Sequence, residues 1–120
     1  MAENKKKTVG RKGEDAACSY LERKGWRIVA RNYRCRFGEI DMIAAKDGVL
    51  AFIEVKTRSR ADFGFPREAV NAEKQRKLRA SAQVFMLRRP EFSRFQPRMD
   101  VIEIRAVEEG ALLRHLENAF

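Results

Sequence analysis

The amino-acid sequence predicts an α/β fold: a mixed sheet of four or five strands flanked by helices, in the order α-β-β-β-α-β with a closing strand. Three observations predict it. The stretch 38–58, GEIDMIAAKDGVLAFIEVKTR, alternates or runs apolar on either side of Asp47-Gly48, as a β-hairpin does. Two longer segments, near 9–24 and 69–88, carry apolar residues at helical spacing. The 120 residues suffice for one domain that buries about two-thirds of its unfolded surface.

Taken in order, Met1 to Lys7 is polar and charged and reads as a basic, disordered arm, which sets residues 1–8 apart from a single domain over 9–120. Thr8 is placed to cap a helix from about Val9 to Lys24, and Gly25 to end it. Its inward face comprises Ala17, Cys18 and Leu21, with Tyr20 at the edge and Glu14 on the same side. A lone acid there can equally serve the helix N-terminus through the dipole. Trp26 to Arg34 alternates as a strand, and Cys35 to Gly38 turns the chain into the hairpin. The loop RSRADFGFPRE after Thr57 either contacts a ligand or covers the core edge. The second helix, from about Ala69 to Arg88, aligns Gln75, Leu78, Ala82 and Phe85, and Pro90 stops it. Met99 to Ile104 alternates as a further strand. Ala111 to Leu116, after a turn at Glu108-Glu109-Gly110, reads as a strand in preference to a short helix.

Charge narrows the function. There are 26 basic and 17 acidic residues, a net charge of +9, and the excess is localised. Residues 1–60 hold 15 Lys and Arg against 8 Asp and Glu, whereas 100–120 hold 2 against 5. A localised basic excess favours a polyanionic partner. A membrane is not expected: no run is long enough to span a bilayer, and no helix joins a basic face to a large aromatic one. The basic start has no hydrophobic segment behind it, so no secretory signal is read and a cytoplasmic location is expected. Cys18, Cys35 and His115 are too few for a zinc site, and Cys18 reads as a small core residue.

The informative residues are polar ones aimed inward: Glu14, Asp41, Glu54, Lys56 and Gln75, from four different elements. Strand side chains repeat every two residues, so Glu54 and Lys56 project from one face, roughly 6–7 Å apart. Each alone reads as structural. Together they suit phosphodiester cleavage, in which two carboxylates on adjacent strands bind Mg²⁺ and a lysine orients a water or stabilises charge on the phosphate.

At these positions the sequence resembles a known family. Asp41 followed by Glu54-Val55-Lys56 resembles the split motif of the PD-(D/E)xK nuclease superfamily, whose fold is restriction-endonuclease-like; Ile40 stands where the motif has its proline. GRKGEDAACSYLERKGW, NYRCRFGEIDMIA, FIEVKTR, AVNAEKQRKL and the closing ENAF resemble the YraN family of small bacterial proteins, which are similar to archaeal Holliday junction resolvases. The resemblance covers nearly everything from Gly10 to Phe120. It implies that Asp41 and Glu54 ligate Mg²⁺ or Mn²⁺, that Lys56 is the catalytic lysine, and that Glu14 and Gln75 support them. The function expected is a metal-dependent endonuclease acting on DNA, branched or otherwise structured, with Arg36, Arg58, Arg60, Arg67 and Lys74 holding phosphates. By the resolvase analogy a homodimer is expected. Two alternatives stay open: a nucleic-acid-binding module without turnover, and a partner-binding protein whose inward charges pair internally.

Overall fold

The hairpin around Asp47-Gly48 lies within the sheet of the computed structural model, which describes residues 2–58, 70–107 and 110–120, with side chains from Arg11 onward except at 106 and 107. Helix α1 spans Ala2–Arg23, and strands β1, β2 and β3 span Arg27–Cys35, Gly38–Lys46 and Val49–Arg58. Helix α2 (Ala72–Arg88) and a short 3₁₀ turn (Pro90–Phe92) lead to β4 (Gln96–Val107) and β5 (Gly110–Leu116). The strands lie in sequence order in one sheet. All neighbours are antiparallel except β3 and β4, which are parallel and joined across α2. The predicted α/β order, including the closing strand, is thus the observed one.

Local chemistry explains the element ends. Gly25, at φ 91°, ends α1: its N–H reaches Glu22 O at 3.1 Å while Trp26 N–H reaches Leu21 O at 2.9 Å. This paired closure consumes carbonyls the helix would otherwise leave unmet, and Trp26 packs into the same core as Leu21. It also explains why β1 starts at Arg27 and not at Trp26. Asp47 and Gly48 take φ of 48° and 77°, a two-residue turn of the left-handed kind that matches strand twist, and Lys46 pairs with Val49 across it. α2 starts at Ala72, three residues later than predicted. Asn71 caps it by accepting Lys74 N–H at 2.9 Å, and Val70, just ahead, is buried in the core. At the other end of the chain, α1 carries helical backbone back to Ala2, through the stretch expected as a disordered arm. Ala, Glu and Lys in that stretch all favour helix.

The helices cover opposite faces of the sheet. Leu78, Ala82 and Phe85 of α2 pack with Ile43, Ala45, Leu50, Phe52 and Val101. Ala17 and Leu21 of α1 pack with Met42, Ala44, Ala51, Ile53, Ile102 and Ile104. Cys18 is a correction: it lies half-buried at the rim of that core, with Sγ 3.4 Å from Glu22 Oε1, one position off the buried Ala17–Leu21 line. No helix among the described residues is long and apolar enough to cross a membrane.

Candidate functional site

The sheet is divided at one end by its own side chain. β2 and β3 pair from Lys46↔Val49 to Met42↔Ile53, and the next pair in that register would be Asp41 with Glu54. There the ladder stops. Val55 N–H instead donates to Asp41 Oδ2 at 2.8 Å, so a carboxylate takes a rung that a backbone carbonyl would fill. On the other side of β2, Asn32 falls opposite Asp41 between Arg31↔Met42 and Tyr33↔Ile40, and takes a left-handed φ of 54°. Both neighbours of Asp41 are therefore irregular where it sits.

Glu54 is the buried partner, 5% exposed. Leu50 and Phe52 belong to the α2-side core, so the period-two alternation of β3 sends Glu54, Lys56 and Arg58 to that same face. Lys74, from the first turns of α2, hydrogen-bonds Glu54 Oε1, and Lys56 Nζ stands 3.7 Å from the same oxygen. Burial, then the charge of Glu54, raises the Asp41 carboxyl to about 7, with Glu14 adding to the rise and the Val55 N–H opposing it. Burial and the adjacent Lys74 lower Lys56. Burial works against the charge on Lys74 too, but its bond to Glu54 outweighs that and holds its pKa up.

The structure brings Asp41, Glu54 and Lys56 together, with Glu14 near enough to act on Asp41. Glu14 also lies 4.0 Å from Arg31, which bonds Asp15 at 2.7 Å. Gln75 donates its amide Nε2 to Val70 O, at 2.9 Å. Of the residues expected to hold phosphates, Lys74 is on Glu54, and Arg58 donates to Glu103 Oε2 at 3.1 Å. Arg36 is exposed over the Phe37 ring at 4.7 Å, on a turn held to α2 by the 3.4 Å contact of Cys35 Sγ with Ser81 Oγ. Arg60 and Arg67 lie outside the described residues.

Among the described residues no three His, Cys, Asp or Glu side chains come together as a metal cage. Two carboxylates do suit Mg²⁺ or Mn²⁺, which are held by one or two acids and keep several waters. The electrostatics point the same way. Burial and the charge of Glu54 together raise the Asp41 carboxyl, and Glu54 has already drawn in a lysine cation. A hard cation relieves both.

A second polar cluster, absent from the sequence reading, lies on the α1 face. Asp100 is fully buried on β4. It receives Arg98 Nε and Nη2, both at 2.9 Å, and Asn118 N–H at 3.0 Å, and its Oδ2 lies 2.8 Å from His115 Nε2. His115 Nδ1 in turn is 3.0 Å from the Tyr20 hydroxyl of α1. The available signal was an acid at a position in phase with the buried Ile102 and Ile104.

Comparison with known proteins places this sequence in a family. The description "Uncharacterised protein family UPF0102" matches residues 13–104. A UPF0102 protein of Desulforamulus reducens is 45% identical over 117 residues, covering 95% of this chain and 96% of the relative. One from Symbiobacterium thermophilum is 47% identical over 116 residues, covering 93% and 95%. One from Alkaliphilus oremlandii is 45% identical over 115, covering 95% and 98%.

Proposed function

The chain belongs to the uncharacterised protein family UPF0102, and we propose that it is a metal-dependent nuclease of the PD-(D/E)xK type that hydrolyses phosphodiester bonds in DNA. The observation that carries this reading is the pairing of Asp41 with Glu54 where β2 and β3 part, with Lys56 on the same face. Asp41 and Glu54 would hold Mg²⁺ or Mn²⁺. The ion, when bound, supplies Lewis-acid polarisation of the phosphate and acidifies water. Lys56 contributes an ammonium whose proton is easier to lose than usual, placed to orient a nucleophile or to give and take its proton. Lys74 and the exposed Arg36 lie on the α2 side, where they would receive phosphate oxygens. Branched DNA as substrate, a homodimer and a cytoplasmic setting complete the proposal.

One observation favours a second reading. Glu54 is already met by two lysines, and no buried side-chain nitrogen or oxygen among the described residues lacks a partner. The cluster could then be purely structural. Thermal melting separates the two. On the nuclease reading Mg²⁺ raises the melting temperature of the wild type, and Glu54→Gln abolishes that rise and cleavage together while melting near the wild type without metal. A wild type indifferent to Mg²⁺ and Mn²⁺, with a severely destabilised Glu54→Gln, leaves a structural ion cluster. Breaking such a buried cluster costs about 3–5 kcal/mol.

A further inference from the structure

The face that carries Glu54 and Lys56 continues across two more strands. Register sets Lys56 beside Glu103, and Arg58 beside Arg105, on β4. Glu103 in turn lies beside Arg114 of β5. Residues directly opposite in a sheet share a face, so these side chains form one field contiguous with the carboxylate pair. Glu103 is buried at 4% exposure, and its two oxygens are divided between two guanidinium groups. Arg58 Nε is 3.1 Å from Oε2, and Arg105 Nη2 is 3.2 Å from Oε1. Arg114 is exposed.

We infer that Arg58, Arg105 and Arg114, organised by Glu103, form a second phosphate-binding subsite that takes the nucleic-acid backbone as it leaves the carboxylates toward β5. This rests on the nuclease reading above. On this face Lys56, Lys74, Arg58 and Arg114 outnumber the carboxylates Glu54 and Glu103, so it keeps a positive excess. A guanidinium has five N–H donors, and Arg58 commits one of them to Glu103. Buried Glu103 fixes the direction of two flexible side chains, and a fixed planar fork loses less freedom on meeting a phosphate. Lys56 and Arg58 follow one another at every second residue of β3, and Arg105 and Arg114 carry the face on across β4 and β5, a spread that suits a linear polyanion better than a compact one. On the reverse side of β3, α1 approaches closely at this level, although Thr57 itself stays exposed. A Cβ built on Gly13 would fall 2.4 Å from Thr57 Oγ1, so helix and strand are in direct contact behind the subsite.

Arg114→Ala tests this without disturbing the buried cluster, with Arg23→Ala as control, since Arg23 is exposed on α1 across the sheet. Binding of duplex DNA is measured without divalent metal over about 50–200 mM salt. Arg114→Ala is expected to reduce the slope of log K against log salt by about 1 and to weaken binding to all sequences alike, and Arg23→Ala to do neither. If the wild type binds and cleaves DNA while Arg114→Ala keeps the wild-type slope, the subsite is wrong and the nuclease reading stands. If the wild type neither binds nor cleaves DNA, both fall.

Discussion

Asp41 serves two demands that conflict. As an acceptor for Val55 N–H it works best ionised, yet burial and Glu54 raise it to about 7. For an acid raised in the folded state, the stabilising effect is present below the unfolded pKa and lost as pH rises through the folded one. The metal-free protein should therefore lose stability between about pH 4 and pH 7 on account of this group, on the order of 4 kcal/mol if it acted alone. Asp41→Asn keeps an oxygen for Val55 and removes the charge. Melting curves across that range should be flatter for Asp41→Asn, which should melt above the wild type at pH 8 and gain nothing from Mg²⁺. Identical pH dependence in the two proteins would assign the slope elsewhere. Much of this was legible beforehand: period-two alternation alone placed Glu54 and Lys56 together and made Asp41 their candidate partner. The bond of Lys74 to Glu54 was not legible, because it depends on how α2 crosses the sheet, which strand periodicity does not encode.

At the scale of elements, α1 sets the height of the strand that bears the chemistry. Gly13 faces Thr57, which lies between Lys56 and Arg58, and leaves no room for a methyl group. Gly13→Ala gains helix propensity but must displace α1 or turn Thr57 out of its rotamer. Overpacking of this kind costs about 1–3 kcal/mol. We expect a lower melting temperature, with cleavage falling more than the folded fraction does, because β3 shifts at Lys56. Thr57→Ser in the same background should recover part of both. A Gly13→Ala protein as stable and active as the wild type would show the contact to be slack. The helices themselves were legible from their apolar spacing, and their ends less so. The expected start of α2 was Ala69, whereas Asn71 caps the helix by accepting Lys74 N–H. The parallel register of β3 on β4, which creates the Arg58–Glu103–Arg105 cluster, is long-range and left no local trace.

The molecule as a whole is held at its far end by Asp100, which joins β4 to β5, to the C-terminal residues and, through His115, to α1. Burial alone would raise this acid, but bonds from His115, Arg98 and Asn118 outweigh it and lower the pKa. Its contribution is thus present above the unfolded pKa and lost as pH falls through the folded one, opposite in sign to that of Asp41. Asp100→Asn leaves Arg98 partly buried without its bidentate partner. It should cost about 3–5 kcal/mol, or roughly 10–20 °C of melting temperature, while Mg²⁺ still raises the melting point of what folds. Loss of the Mg²⁺ response in Asp100→Asn would mean that the two clusters are coupled. The central hairpin has a mechanical consequence of its own. It is pinned at the Asp47-Gly48 turn, and its backbone ladder ends where Asp41 and Glu54 meet, with the Val55 N–H bond to Asp41 bridging the two strands there. A change of loop length at the turn, roughly 20 Å along the strand, would reach the carboxylates as a change of gap with their chemistry left intact.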